Sequence, residues 1–203
     1  MSRSLQAFLA LAFCVIATLP AFAANQSPRP PLIPQPREFE PQPDLSLASG
    51  VSILVPGRDA EDRFAADDLA AEFKQRGIPS KQTATTLRIY LIRDSSPLAQ
   101  RILARHHLAF DEPMRAEGYI LITETHEAFV IAHTAEGVFY GAQTLKQLIR
   151  TNTSEPALLG CAIRDWPAMR YRGVDDDLSR GPVPTLDFQK KQIRTFAAYK
   201  INI

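Results

Sequence analysis

Residues 163–203 read IRDWPAMRYRGVDDDLSRGPVPTLDFQKKQIRTFAAYKINI, and the fold turns on this stretch. Residues 171–178 form a β-type run that carries Arg172, Gly173 and the aspartates Asp175, Asp176 and Asp177. A turn with Pro182 and Pro184 follows, then an amphipathic helix. Its apolar face is Leu186, Ile193, Phe196 and Ala197, with Lys190, Lys191 and Arg194 as the solvated side. Residues 199–203 begin a second β-like run. A strand, a helix and the start of another strand open a repeated β/α unit, and one such unit does not close a sheet. The expectation is the front part of a longer protein.

Upstream, the hydrophobic pattern predicts a compact α+β domain over residues 44–163. Val51, Ile53 and Val55 alternate as a half-buried strand would, with a turn at residues 48–50 before them. Asp59 is placed to cap a helix that runs to Arg76 and presents Phe64, Ala65, Leu69 and Phe73 on one side, and Gly77 ends it. Residues 87–92 are a buried strand, and Ser96-Pro97 starts a second helix through His107. Residues 118–123 and 128–133 flank a polar tetrapeptide as a hairpin. A helix over residues 136–150 carries Gly137 and Gly141 one turn apart, where another backbone can approach closely. A last strand is predicted over residues 158–163.

Residues 25–43 are predicted to be a Pro-rich linker (Pro28, Pro30, Pro31, Pro34, Pro36, Pro41, Pro43), in which Leu32 and Ile33 are the exceptions, an apolar pair suited to dock on the following domain. Before it, Arg3, an uncharged apolar run over residues 5–19 and Ala21-Phe22-Ala23 have the layout of a secretory signal peptide over residues 1–24. Export to a periplasmic or extracellular location is expected, with no membrane association after cleavage. The chain has 23 basic and 22 acidic residues. That balance gives no reason to expect a nucleic-acid partner. Cleavage would leave Cys161 as the lone cysteine, read as a small buried hydrophobe.

Among chemistry-bearing residues, the histidines lack metal-ligand spacing: His106 and His107 are adjacent and point about 100° apart on a helix. No phosphate loop and no serine nucleophile elbow occur. Asp175 and Asp177 would share one face of a strand, about 7 Å apart, a spacing compatible with acid/base work or a hard cation. A solvated strand end with local ion pairs is the equal alternative.

At these residues the chain resembles family 20 glycoside hydrolases, the β-N-acetylhexosaminidases. Asp165-Trp166-Pro167, Arg172-Gly173, Asp177-Leu178-Ser179-Arg180 and Tyr199-Lys200-Ile201-Asn202 match, in order, motifs that open that family's catalytic barrel. Residues 32–36, Glu117-Gly118-Tyr119 and the run from Gly137 to Leu145 resemble motifs of its accessory domain. The resemblance implies an α+β accessory domain, a small zincin-like sheet packed by helices, followed from residue 164 by the first β/α unit of a truncated (β/α)8 TIM barrel. It implies Arg172 as a substrate-binding residue that reaches sugar hydroxyls, and Asp177 and Arg180 as residues that shape the mouth of the site. It also implies substrate-assisted retaining hydrolysis of terminal N-acetylhexosamine on an oligosaccharide or glycoconjugate. The Asp-Glu catalytic pair lies on a later strand, outside these 203 residues, and no cofactor or metal is involved. Asp175 and Asp176 stand where the family is usually apolar. A family 84-like or α-glucuronidase-like glycosidase and a non-catalytic secreted carbohydrate-binding module are the alternatives.

Overall fold

Three strands set the core. In β4 (Leu87–Arg93), β5 (Tyr119–Glu124) and β6 (Glu127–Ala132), side chains alternate between two buried faces. Leu87, Ile89, Leu91, Tyr119, Leu121, Ala128, Val130 and Ala132 pack on one side. Ile92, Ile120, Ile122, Phe129 and Ile131 pack on the other. A sheet covered on both faces needs apolar residues at consecutive positions, so these segments read as continuous apolar runs. The structure, a computed structural model, describes residues 30–57, 59–81, 83–152, 154–177, 179 and 181–203. The expected signal peptide therefore lies outside the described residues.

The main sheet has six strands in the order β1-β9-β5-β6-β4-β3, with β1 at Glu38–Pro41, β3 at Val51–Leu54 and β9 at Cys161–Asp165. It is mixed: β3 and β6 both run parallel to β4, while the β6–β5, β5–β9 and β9–β1 pairs are antiparallel. Helices α1 (Ala60–Gln75) and α3 (Ala135–Leu148) cover the first face. Helix α2 (Pro97–Arg105) covers the second through Ala99 and Ile102. A small antiparallel sheet of two-residue strands, β2 (Leu45–Ser46), β8 (Ala157–Leu158) and β7 (Ile149–Arg150), sits beside them. A mixed sheet packed by helices is the α+β domain expected from the pattern.

Helix ends follow local chemistry. Ser96 accepts from the Ala99 amide and Pro97 opens α2, while Thr134 accepts from the Gly137 amide at the start of α3. Asp59 occupies the cap position of α1 as expected, but its side chain makes no cap bond. Gly77, His107 and Lys200 each follow a helix with φ of 74°, 54° and 60°. In each case the next amide reaches back to the carbonyl five residues earlier: Ile78 to Phe73, Leu108 to Leu103 and Ile201 to Phe196.

The glycines of α3 work as the sequence suggested. A Cβ on Gly141 would press into Val130 and stand 3.1 Å from the Tyr119 ring, so α3 lies close on β5 and β6. Cys161 is fully buried, as read.

Four expectations need correction. Residues 38–41 are not linker: they pair with β9 as an edge strand, Pro41 opposite Cys161, which prolines permit at an edge. The strand predicted over residues 158–163 is two strands in two sheets, β8 and β9. A Cβ on Gly160 between them would collide with the Pro43 backbone, which accounts for the glycine where the two strands part. Phe64 is 65% exposed, and Asp62 takes the inward position on α1, held by Arg93 at 2.8 Å. Of the apolar pair ahead of β1, Leu32 docks in the core, whereas Ile33 is exposed and held by its backbone through Gln147, 2.8 Å in both directions.

Candidate functional site

The residues singled out in the sequence meet where the domain passes into the last forty residues. Asp165 ends β9 and lies opposite Tyr119 of β5. The Tyr119 hydroxyl donates to Asp165 Oδ2 at 2.8 Å and lies 2.6 Å from Thr144 Oγ1 of α3. Lys200 Nζ enters this group, 2.7 Å from Asp165 Oδ2 and 2.8 Å from the Tyr119 oxygen. With its one proton committed to Asp165, the tyrosine oxygen accepts from both Lys200 and Thr144. The lysine and aspartate side chains are 8% and 9% exposed, so this is a buried ion pair, with the Tyr119 hydroxyl bonded to both charges. Burial, reinforced by the Asp165 charge, holds the Tyr119 hydroxyl well above its usual range. Burial also pulls the Lys200 ammonium down, against the opposing pull of Asp165.

A second cluster adjoins the first. Arg172 Nη2 pairs with Glu117 Oε2, its Nε donates to the Lys200 carbonyl at 2.7 Å and its Nη1 to the Met169 carbonyl at 2.7 Å. Its guanidinium lies 5.6 Å from the Tyr140 ring centre. Asn202 closes the cluster, donating to Glu117 Oε1 at 3.0 Å and to the Arg170 carbonyl at 2.9 Å. Pro34, Tyr140, Trp166, Met169, Arg172 and Lys200 line a mostly apolar cleft of about 320 Å³ beside these groups.

Beyond this junction the chain forms the opening of a parallel pair. The Arg172 carbonyl accepts from the Ile203 amide at 3.2 Å, and the Val174 amide donates to the Ile203 carbonyl at 3.1 Å. That pattern sets Gly173 opposite Ile203 in parallel register. A Cβ on Gly173 would lie 3.3 Å from Ile203 Cβ, which accounts for the glycine there. Helix α4 (Leu186–Ala198), capped by Thr185, connects the two segments.

The expected strand over residues 171–178 is thus shorter: among the described residues 171–177 only the backbone around Gly173 is paired. The acidic run opens outward. Asp176 accepts from Gln192 of α4 at 2.9 Å. Asp177 accepts from the Ser179 hydroxyl at 2.5 Å and its amide at 2.9 Å, and those bonds hold its carboxyl below the usual range. Asp176, Asp177, Val183, Phe188 and Gln192 border an open hollow of about 610 Å³. Arg180 lies outside the described residues.

Arg172, expected to read sugar hydroxyls, is bonded to protein groups at this junction. A sugar reader in a β/α barrel faces the C-terminal ends of the strands. Arg172 stands at the N-terminal end of the pair, with at least three of its five donors bonded to protein. The expectation missed this because it weighed the guanidinium's chemistry and not its partner Glu117, 55 residues away. Lys200, Asp165 and Glu117 were also missed as a set. One signal was present: a lysine just past a helix end, where glycine or asparagine is the usual residue.

The remaining candidates are local. His106 lies 2.9 Å from Glu124, and His133 2.9 Å from Asp94. His107 is the left-handed residue after α2, and His126 lies in the β5–β6 turn.

Residues 29–166 match the family model described as glycosyl hydrolase family 20, domain 2. A β-hexosaminidase of Porphyromonas gingivalis is 38% identical over 97 residues, which is 44% of this chain and 12% of that protein. The solved N-acetyl-β-hexosaminidase of Streptomyces plicatus, in complex with Thio-NAglucal, is 25% identical with a TM-score of 0.64, over 87% of this chain and 34% of its own. CpGH84B, at 21% identity and a TM-score of 0.63, covers 86% of this chain and 29% of its own, and shares the fold. The chain spans about an eighth to a third of the length of these relatives.

Proposed function

The chain belongs to glycosyl hydrolase family 20, and from that premise we propose that the protein carrying it hydrolyses terminal N-acetylhexosamine residues on oligosaccharides or glycoconjugates. The observation that carries this reading is a junction. A domain matching that family's domain 2 over residues 29–166 runs directly into a segment whose Gly173 and Ile203 pair in parallel register on either side of helix α4.

On this reading residues 171–203 are the first unit of a (β/α)8 barrel. Asp177 and Arg180, by their match to the family's motif positions, are the residues proposed to shape the mouth of the site. The resemblance supplies the chemistry: the substrate's own 2-acetamido carbonyl attacks the anomeric carbon, an aspartate orients it, and a glutamate protonates the leaving oxygen. Such substrate-assisted routes stand apart from the two-carboxylate scheme. The Asp-Glu pair belongs to a later strand, so neither Asp175 nor Asp177 is assigned that work. Hydrolysis by this route needs no metal and no organic cofactor. The apolar run and small-residue site within residues 1–24 support export of the protein.

The test is release of chromophore from aryl N-acetyl-β-hexosaminides by the full-length protein. Turnover is expected. No turnover across gluco- and galacto-configured amino sugars would overturn the assignment.

A further inference from the structure

Helix α4 raises a physical question. None of its residues is buried, and Leu186, Phe188 and Ile193 are more than half exposed. Apolar burial therefore contributes little to holding residues 169–203 against the domain. The contacts that do so are polar and centred on four charges. Two anions belong to the domain: Glu117 just ahead of β5, and Asp165 at the end of β9. Two cations belong to the following unit: Arg172 and Lys200. They pair one to one, and the Arg172–Lys200 carbonyl bond at 2.7 Å ties the pairs together. Asn202 adds a bond to the second oxygen of Glu117.

The backbone supports the same conclusion. Lys200 has φ of 60°, in the left-handed region, which costs a non-glycine residue about 1 kcal/mol. Glycine would end α4 with less strain. A lysine is explained there by what its ammonium does: it crosses into the domain and lies 4.7 Å from the Tyr119 ring centre as well as bonding Asp165.

We propose that the acidic pair Glu117 and Asp165 is a docking site on the accessory domain that reads Arg172 and Lys200 and so fixes where the first two barrel-type segments stand. The accessory domain then serves as the platform on which the barrel's opening unit is seated. A buried pair, Lys200–Asp165, and a part-buried one, Arg172–Glu117, suit that task. They contribute little net stability, but a shifted partner leaves an uncompensated charge, so one arrangement is strongly favoured. The inference rests on these contacts and not on the glycosidase reading. Its test measures backbone protection rather than turnover, so the two fail separately.

The experiment is amide hydrogen exchange on the full-length protein and three variants, Lys200→Met, Lys200→Gly and Glu117→Gln. Exchange at residues 172–174 and 200–203 is expected to speed up about tenfold or more in each, the scale of one lost charge-assisted hydrogen bond. Amides of β4, β5 and β6 should keep their wild-type rates. The glycine variant is the sharpest, because it relieves the backbone while removing the ammonium. Wild-type protection at residues 200–203 in any of the three would overturn the proposal. Equal loss across β4, β5 and β6 would also overturn it, because the charges would then hold the core rather than seat the unit.

Discussion

A Cβ on Gly137 would stand 2.8 Å from the Cβ of Ala132 and nearer still to the carbonyl oxygen of Gly118. Alanine is the better helix former by about 1 kcal/mol, so an exposed helix would gain from Gly137→Ala. Here the carbonyl is backbone and cannot swing aside. We expect the variant to lose about 2 kcal/mol or more of stability, the scale of overpacking in a tight core. Urea unfolding at neutral pH measures it, and a gain in midpoint would show that α3 does not lie on β5 as closely as described.

That contact also shows what the sequence could and could not disclose. Gly137 and Gly141 one turn apart, the apolar runs of β4, β5 and β6, and the cap Ser96 are local signals, and each led to the element that forms. Strand β1 was hidden because its proline pattern argues for linker, and only pairing with β9 makes an edge strand of it. Strands β2, β7 and β8 have two residues each, too short to show a period. The site was harder. Lys200 and Asp165 are 35 residues apart and Arg172 and Glu117 are 55 apart, so spacing carried no information about either pair. Arg172 looked like a ligand reader because its chemistry suits that role, whereas its position in the fold gives it to the junction.

Cys161 gives a prediction in the alkaline range. Burial, with a smaller push from the Asp44 charge, raises its thiol to about 12. In the unfolded chain a thiol ionises at about 8.5. The proton is held more tightly by the folded state, so this contribution is complete below about pH 8.5 and is lost as pH rises toward 12. At about pH 10.5, two units above the unfolded value, the loss is about 3 kcal/mol. Cys161→Ala should therefore cost less at pH 10.5 than at pH 7 by about that amount, as measured by paired urea titrations. An unchanged cost would mean that the thiol is not shielded.

Asp62 and Arg93 form a comparable pair within the domain, the carboxylate side chain 1% exposed and the guanidinium 22%. Arg93→Met strands a buried charge and should cost about 3 kcal/mol. The double variant Asp62→Leu with Arg93→Met should recover most of that loss, because it removes the stranded charge. Thermal or urea unfolding of the three variants gives the coupling, and a double variant as unstable as the sum of the singles would contradict it.

Glu117 and Arg172 should behave as one unit at the junction. In a double-mutant cycle with Glu117→Gln and Arg172→Gln, the coupling is expected to be at least about 1 kcal/mol, within the range for residues sharing one network. The readout is protection at residues 200–203. Simple additivity would separate Arg172 from Glu117 and return its guanidinium to the list of groups free to meet a ligand.

The most direct measurement compares two substrates on the full-length protein: an aryl N-acetyl-β-glucosaminide and the matching aryl β-glucoside, which lacks the 2-acetamido group. If the substrate's own carbonyl is the nucleophile, kcat/KM for the acetamido sugar should exceed that for the glucoside by at least about a thousandfold, since the nucleophile held in place accounts for much of the rate. Comparable turnover of the two would contradict the account.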